Sequence, residues 1–315
     1  MTVLYSTLQL GLLYGLMALG IYISFRILNI PDLTAEGSFS FGLAVSAMVT
    51  TTGHPYLGLF LSLMAGIAAG CMTGLLQTKV KIHPILAGII TMSGLYSINL
   101  LVQGNAANVS LLGEETILSH IRGMLPGLDK DIVKILIPLV FAGLFLVLLW
   151  LFLKTHLGLC IRATGDNQEM LMASSVNVDL CKIVALGVSN GCIGFSGGLA
   201  AQLQGYADIS SGVGMLVVGL ASVIIGEAVF GRRSVTVGFI SALAGSVIYR
   251  LIIALATRYQ ILPSYMLKLV SAIIVTIALA LPAIKDAWKK AQIKKRGMQE
   301  MCIRDSHRRG QVAVC

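Results

Sequence analysis

Nine long apolar runs, separated by short polar segments, make up the pattern of hydrophobic positions along the chain. The runs cover about residues 3–25, 34–52, 56–77, 84–103, 132–153, 182–203, 213–230, 235–257 and 264–283. A helix needs about 20 consecutive apolar residues to cross the hydrocarbon core of a membrane. The pattern therefore predicts an all-α integral membrane protein, a polytopic bundle of about nine transmembrane helices within a range of about eight to ten.

The composition excludes a cytosolic enzyme. Of the 315 residues, 56% are hydrophobic and 12% are charged, whereas an ordinary soluble domain carries about 25% charged residues. The dipeptide Gly-Lys of the phosphate loop G-x-x-x-x-G-K-[ST] is absent, which predicts that this chain does not hydrolyse ATP and is not an enzyme. The six Cys form no C-x-x-C pair and no His stands at zinc-ligand spacing, so we expect no metal and no directly bound cofactor.

The basic residues fall mainly on alternate loops. When successive loops are assigned to opposite sides, 17 of the 23 Lys and Arg residues lie on one side. That side includes residues 285–315, a basic tail that follows a membrane domain of residues 1–284. Because Lys and Arg accumulate on the cytoplasmic side of membranes, we predict an outer N-terminus and a cytoplasmic C-terminus. The tail charge is explained in this way and does not indicate nucleic-acid binding.

Two loops are long enough to hold structure of their own. In the outer loop, about residues 104–131, four apolar residues recur at helical spacing. They are Ile117, Leu118, Ile121 and Leu125. This spacing predicts a short helix lying on the membrane face. The inner loop, about residues 154–181, is amphipathic as well.

Polar residues cluster where the second span begins. The segment "NIPDLTAEGSFSFG" places Asp32, Thr34 and Glu36 between Pro31 and Gly37. Pro and Gly here predict an interruption of the second helix, and a broken helix is tolerated at membrane depth only where it lines a cavity or contacts protein. Two interpretations stay open: the residues only cap the second helix, or they also line a solute pathway.

Ionisable groups inside the other spans are few. A charge in hydrocarbon is costly and is usually kept for a function. Glu227 lies about one turn before Arg232 and Arg233, which favours a local ion pair over a pathway role. Arg250 falls inside the eighth span.

In the fourth span, Thr91, Tyr96 and Asn99 stand beside Ser93 in an apolar helix. At 3.6 residues per turn, Thr91 and Asn99 fall near one another and Tyr96 lies more to the side. Such groups either face a pathway or form hydrogen bonds to neighbouring helices. Both interpretations stay open for these residues.

Two further patterns concern the architecture. "PDLTAEG" and "ADISSGVG" each place an Asp, Asp32 or Asp208, between a small or Pro residue and an aliphatic one. This match indicates either an inverted repeat, as many transporters have, or chance, and it adds Asp208 to the candidates for lining a pathway. In the third span Gly66, Gly70 and Gly74 recur every four residues, which predicts a seam of close helix packing.

The inner loop reads "KTHLGLCIRATGDNQEMLMASSVNVDLCK". Asp166 followed by Glu169 three residues later predicts a capping box that opens a short helix. Met170 begins an apolar run in this otherwise aqueous loop. We therefore interpret the helix as a docking element for a partner.

The same loop resembles the permease subunits of bacterial ABC importers in the branched-chain amino acid and ribose permease superfamily. The family pattern R-A-x-G-x-N, followed by Ala, is matched by Arg162, Ala163, Gly165, Asn167 and Ala173. Where the family continues with Gly-Ile, this chain has Ser175 and Val176. The resemblance runs from about residue 5 to about residue 283 and is greatest to the amino-acid branch, including its tryptophan-type members.

The resemblance implies a multi-pass subunit of the bacterial inner membrane, surrounded by lipid, that forms a pathway for a small solute such as an amino acid. It also implies a second permease subunit in a dimer, two ATPase subunits that use the ATP and bind the inner loop, and an extracytoplasmic substrate-binding protein. The alternative from the residues alone is a self-sufficient secondary transporter or channel. The stretch "MCIRDS" resembles translated adapter sequence, and on this interpretation residues from about 301 on are not native.

Overall fold

A computed structural model of the chain describes residues 2–124, 129–174, 176–231 and 234–258, together with Thr276 and Ala280. These residues are almost entirely helical. The long helices are α1 Thr2–Tyr22, α2 Thr34–Thr51, α3 Pro55–Thr78, α4 Pro84–Val102, α6 Lys130–Lys154, α9 Val178–Gln204, α10 Met215–Phe230 and α11 Val235–Arg258. The shorter ones are α5 Ile117–Met124, α7 His156–Asp166 and α8 Gln168–Ala173.

Four short elements complete the description. A π-helical turn, Ile23–Ile27, extends α1. Strands β1, Asn108–Ser110, and β2, Tyr206–Asp208, pair antiparallel with Val109 opposite Ala207. A 3-10 turn, Ile209–Gly212, connects β2 towards α10.

Seven helices of the described residues are long and apolar enough to cross a membrane. They correspond to the predicted spans except the second and the ninth. The second, α2, is as long as a span but begins with polar residues and is not among the seven. The predicted span 264–283 and the tail 285–315 lie outside the described ranges. The all-α, polytopic membrane architecture is confirmed, and the count of nine helices stays a prediction.

Helix α9 is the centre of the bundle, because 83% of an apolar 18-residue segment of this helix is buried. It packs against α3 along the predicted glycine seam. A Cβ on Gly66 would overlap the backbone of Asn190, one on Gly70 would overlap the backbone of Leu186, and one on Gly74 would contact Ile183. The absence of side chains on α3 therefore lets the two helix backbones approach directly.

We expect Gly66→Ala to destabilise the protein because its methyl group would meet backbone atoms that cannot move aside. Overpacking of this kind costs about 1–3 kcal/mol. The measurement is the thermal unfolding midpoint of the purified chain in detergent. Gly94→Ala on α4 is the matched control, since a Cβ there meets no atom within 4 Å. Equal midpoints for the two variants would contradict the seam.

Where the structure describes them, the loops predicted to share a side lie at one end of the bundle. Arg26, in the π turn after α1, forms an ion pair with Glu227 near the end of α10. Lys79, after α3, lies 3.8 Å from Asp179 at the start of α9. Strands β1 and β2 and helix α5 lie at the other end, where Gln202 near the end of α9 accepts a hydrogen bond from the Ile117 amide.

Two local predictions need correction. Helix α2 runs without interruption from Thr34 to Thr51, so the irregular stretch precedes the helix instead of breaking it. Helix α5 forms as predicted, but Ile117 is 1% exposed in the protein core. The apolar face of α5 thus packs on the bundle and not on the membrane, because the ends of α6 and α9 offer it an apolar surface.

Candidate functional site

A cavity of about 320 Å³ opens between α2, α4 and the 3-10 turn. It brings together three of the residues predicted to line a pathway, Glu36, Tyr96 and Asn99. The hydroxyl-bearing Ser40 and Ser93 also line it. The cavity therefore combines a carboxylate, a phenol, an amide and two hydroxyls.

Glu36 is positioned by the first turn of α2 and by the start of α10. Its Oε1 accepts a hydrogen bond of 3.0 Å from the amide of Gly214. Gly214 has φ 87°, a left-handed conformation that glycine adopts without steric cost. A side chain from one helix thus holds the N-terminal end of another, and the 3-10 turn between β2 and α10 is kept against α2.

The polar residues of helix α4 lie on the sides of the helix that the helical wheel predicts. Thr91 and Asn99 lie on the buried face, whereas the Tyr96 side chain is 59% exposed beside the cavity. The Thr91 hydroxyl donates to the Ala87 carbonyl of its own helix and does not reach the cavity. Asn99 is 1% exposed, and its Oδ1 has no hydrogen-bond partner among the described residues. Its amide oxygen is therefore buried and unpaired at the wall of the cavity.

Asp32 and Thr34 form a polar contact behind the cavity. Asp32 is 4% exposed, and its carboxylate accepts from the Asn190 amide nitrogen at 2.6 Å and from the Thr34 amide at 2.9 Å. The Thr34 hydroxyl lies 2.8 Å from the Thr73 hydroxyl on α3. Neither residue lines the cavity. Their contacts support the cap interpretation and add a connection from α2 to α3 and α9.

The remaining two pathway candidates lie elsewhere. Asp208, in β2, accepts hydrogen bonds from the amide and hydroxyl of Ser210 and so caps the 3-10 turn. Glu227 pairs with Arg26, 201 positions away in sequence. Its predicted partners Arg232 and Arg233 fall in the gap at residues 232–233. The local ion pair stays a prediction, and the pair with Arg26 is a contact of Glu227 that the sequence did not predict.

Sequence reasoning missed Asn190 and the cavity residues Ile209, Gly212 and Val213. Asn190 carried a usable signal, since it is an amide in the middle of an apolar run, as Asn99 is. The other three had none. They line the cavity because β2 pairs with β1 and the following turn contacts α2, where the Ser40 hydroxyl donates to the Ile209 carbonyl.

The inner loop consists of two helices, α7 and α8, which meet at Asn167. Asp166 is the last residue of α7, and the Asn167 side chain caps α8 by accepting from the Met170 amide at 3.1 Å. The predicted cap at Asp166 and its capping box with Glu169 are therefore wrong by one residue. Helix α7 extends to Asp166 because the Asn167 amide still bonds to the Ala163 carbonyl.

Helix α8 has no buried residue, and α7 is anchored to the bundle. Met170 is 69% exposed, and Glu169 and Ala173 are exposed as well. In α7, Arg162 is exposed and Ala163 is half-buried. A Cβ on Gly165 would overlap the backbone carbonyl of Ile27. The loop thus presents an uncovered helix on a support that contacts the π turn directly.

Comparisons with known proteins agree with one another. The family model described as "Branched-chain amino acid transport system / permease component" matches residues 3–279. A "Tyrosine transport system permease protein" of Clostridioides difficile (strain R20291) is 36% identical over 92% of this chain and 94% of its own length. No solved structure matches the chain.

Two further relatives are more distant or cover less of the chain. The "Uncharacterized protein RP368" of Rickettsia prowazekii (strain Madrid E) is 36% identical over 73% of this chain and 79% of its own length. The "Galactofuranose transporter permease protein YtfT" of Escherichia coli (strain K12) is 26% identical over 67% of this chain and 61% of its own length.

Proposed function

The chain belongs to the family of branched-chain amino acid transport system permease components, and we propose from this premise that it forms the membrane pathway for an aromatic amino acid. It is a multi-pass permease subunit of an ABC importer. The tyrosine-transport relative covers nearly the whole chain and supports an amino acid as the solute. The distant sugar permease has lower identity and shorter coverage, so it gives less support to a sugar.

The cavity beside Glu36 is the observation that carries this proposal. Its carboxylate suits the ammonium group of an amino acid, and the Asn99 amide and the serine hydroxyls suit its remaining polar atoms. The cavity lies at the junction of three elements, α2, α4 and the turn before α10. A movement of α10 relative to α2 would therefore change its shape, as alternating access requires.

The proposal is tested by reconstituting the chain with its ATPase subunits and its substrate-binding protein in proteoliposomes. We expect uptake of radiolabelled tyrosine that requires ATP and the binding protein. Excess phenylalanine should compete and excess ribose should not. Uptake by the chain without ATPase subunits would instead support a secondary transporter or channel, and competition by ribose would support a sugar as the solute.

In the same assay we expect Glu36→Gln to reduce uptake by about tenfold, a loss equivalent to ~1.4 kcal/mol. The amide oxygen can still accept from the Gly214 amide, so the fold is kept while the charge that faces the solute is removed. Copurification of the ATPase should be unchanged. Glu115→Gln removes an exposed carboxylate at one end of the bundle and serves as control. Wild-type uptake by Glu36→Gln would reduce Glu36 to a structural residue.

We also propose that α7 and α8 face the cytoplasm and bind the ATPase subunits, which supply the ATP chemistry, so that the chain itself binds no cofactor. The basic loops at the same end of the bundle support this orientation in the inner membrane. The exposed α8 residues support a docking role. Asp166 and Glu169 lie on either side of the α8 cap and place negative charge where a partner helix or loop would meet it.

The orientation is tested with single cysteines introduced into a background from which all six native Cys residues, Cys160 and Cys181 among them, have been removed. We expect Asn167→Cys to resist membrane-impermeant thiol reagents in intact cells and to react in inverted vesicles. Leu112 is 87% exposed at the other end of the bundle. Leu112→Cys is therefore the matched control and should react in intact cells. The reverse labelling of the two positions would invert the topology.

A second copy of the chain is the proposed dimer partner. Helix α4 exposes Tyr96 next to the cavity together with Ser93 and Ser97. Lipid tails cannot form hydrogen bonds with these polar groups. A subunit packed against this face would cover them and close the cavity.

The inverted repeat stays a prediction as well, and it is supported by the matching caps of Asp32 and Asp208, each of which accepts the amide two residues later.

A further inference from the structure

We propose that Arg250 and the cavity beside it form a second binding site, which takes the carboxylate of an aromatic amino acid. The inference rests on the proposed function for the solute class. Arg250 lies within α11 in a segment apolar enough to span the membrane. Its guanidinium carbon lies 4.3 Å from the ring centroid of Tyr14 on α1. Ionisable residues at such depth are costly and are kept where they have a partner or a function.

Arg250 has no ionic partner among the residues that the structure describes. None of their carboxylates forms an ion pair with it. Its buried Nε has no hydrogen-bond acceptor within the same set. The acids of the remaining chain are Asp286, Glu300 and Asp305, and residues 259–283 contain none. These three follow the predicted ninth span and are predicted at the opposite end of the bundle, and we infer that a bound ligand supplies the negative charge.

The cavity at Arg250 has a volume of about 420 Å³, enough for one amino acid. Three aromatic rings line it, those of Tyr14, Phe39 and Tyr206. Gln204 and Ser211 add polar groups that can pair with an amino group. A guanidinium binds a carboxylate through two parallel hydrogen bonds, and aromatic rings pack favourably against another ring. This combination fits a solute with a carboxylate at one end and an aromatic group at the other.

The position of the Arg250 cavity relates it to transport. It lies across α2 from the Glu36 cavity: Phe39 faces one and Glu36 the other. The segment between β2 and α10 lines both, with Ser211 at the Arg250 cavity and Gly212 at the Glu36 cavity. Tyr206, in β2, places the Arg250 cavity towards the end predicted to be outside.

Lipid phosphates share the anionic oxygens that a guanidinium recognises, so the experiment must separate the two sources. The full-length permease is placed in nanodiscs of zwitterionic phosphatidylcholine, and binding of tyrosine and of tyramine, which lacks the carboxylate, is measured by calorimetry. We expect wild-type protein to bind tyramine more weakly than tyrosine by about tenfold to a hundredfold. This comparison needs no variant and is independent of any folding defect.

The variants assign the carboxylate preference to Arg250. Arg250→Gln should weaken tyrosine binding to about the level of tyramine, and Arg250→Lys should restore part of the difference. Arg122→Gln, which removes an exposed guanidinium on α5 at the same end of the bundle, should bind as wild type. Equal affinity for tyrosine and tyramine in wild type, or unchanged discrimination in Arg250→Gln, would overturn the proposal.

Two further outcomes separate this inference from its premise. If phosphatidylglycerol copurifies with wild type but not with Arg250→Gln, and tyrosine does not displace it, the site binds lipid and the substrate assignment is wrong. Uptake is measured on the same proteins in the complete complex. ATP-driven tyrosine uptake that is independent of Arg250 would leave the proposed function standing and refute the site. Carboxylate-selective binding without any ATP-driven uptake would support the site and refute the proposed function.

Discussion

Gly165→Ala is expected to lower ATP-driven uptake by about tenfold or more while the chain still inserts into the membrane. In an ordinary helix this substitution is stabilising by roughly 0.5–1 kcal/mol. Here the new Cβ would overlap the carbonyl oxygen and carbon of Ile27, which belong to the backbone and cannot rotate away. Helix α7 would have to move off the π turn. A movement of the ATPase subunits, passed through α8 and α7, would then no longer reach the bundle through the contact of α7 with Ile27.

The measurement compares uptake with ATPase activity of the reconstituted complex. We expect hydrolysis without transport, or loss of the ATPase on purification. Gly143→Ala on α6 is the matched control, because no atom lies within 4 Å of a Cβ at that position. Its uptake should equal that of wild type. If Gly165→Ala imports normally, the contact of α7 with Ile27 does not transmit the ATPase movement.

The second large effect is expected at Asp32. Asp32→Ala removes the acceptor of the Asn190 amide and of the first amide of α2. A charge-assisted hydrogen bond contributes about 1.5–3 kcal/mol, and a buried donor left unpaired costs about 1–3 kcal/mol. We expect a large fall in the thermal midpoint in detergent and in the yield of folded protein. Asp32→Asn should be milder because its amide oxygen can still accept one of the two bonds.

A double-mutant cycle shows whether the pair acts as a unit. Asp32→Ala and Asn190→Ala should each be strongly destabilising, and the double variant should cost much less than their sum, since neither group is then left alone. Thr78→Val is a matched control, because the buried Thr78 hydroxyl bonds only within its own helix. Additive effects of the two alanine variants would show that the contact contributes little.

The sequence predicted the features that depend on neighbouring positions along one helix. The glycine seam of α3 follows from a four-residue spacing, and the sides of Thr91 and Tyr96 follow from the helical wheel. The partner of each seam residue on α9 could not be predicted, because it depends on which helices pack together. The same is true of Arg26 and Glu227, whose ion pair joins positions 201 apart.

The candidate site was predictable only in part for the same reason. Glu36 and Asn99 stand out as polar groups in apolar runs. The contact between Glu36 and the Gly214 amide depends on the short pairing of β1 with β2, which brings the turn before α10 down onto α2. Two strands of three residues each give no distinct pattern in a sequence. The cap of α8 could not be assigned to one residue even from the local sequence, because Asp166 and Asn167 are both residue types that cap helices well.

The polarity of α2 has a consequence for how the chain enters the membrane during synthesis. A segment partitions from the translocon into lipid according to its own apolar content, and α2 begins with Thr34, Glu36 and other polar residues that lipid cannot pair. In the folded protein the Gly214 amide ahead of α10 donates to Glu36, and further along α2 the Ser46 hydroxyl donates to the Gly198 carbonyl of α9. Helix α9 is synthesised more than 120 residues later. Stable integration of α2 therefore has to wait for α9, and early release of the N-terminal helices would leave α2 without the surroundings that make its burial favourable.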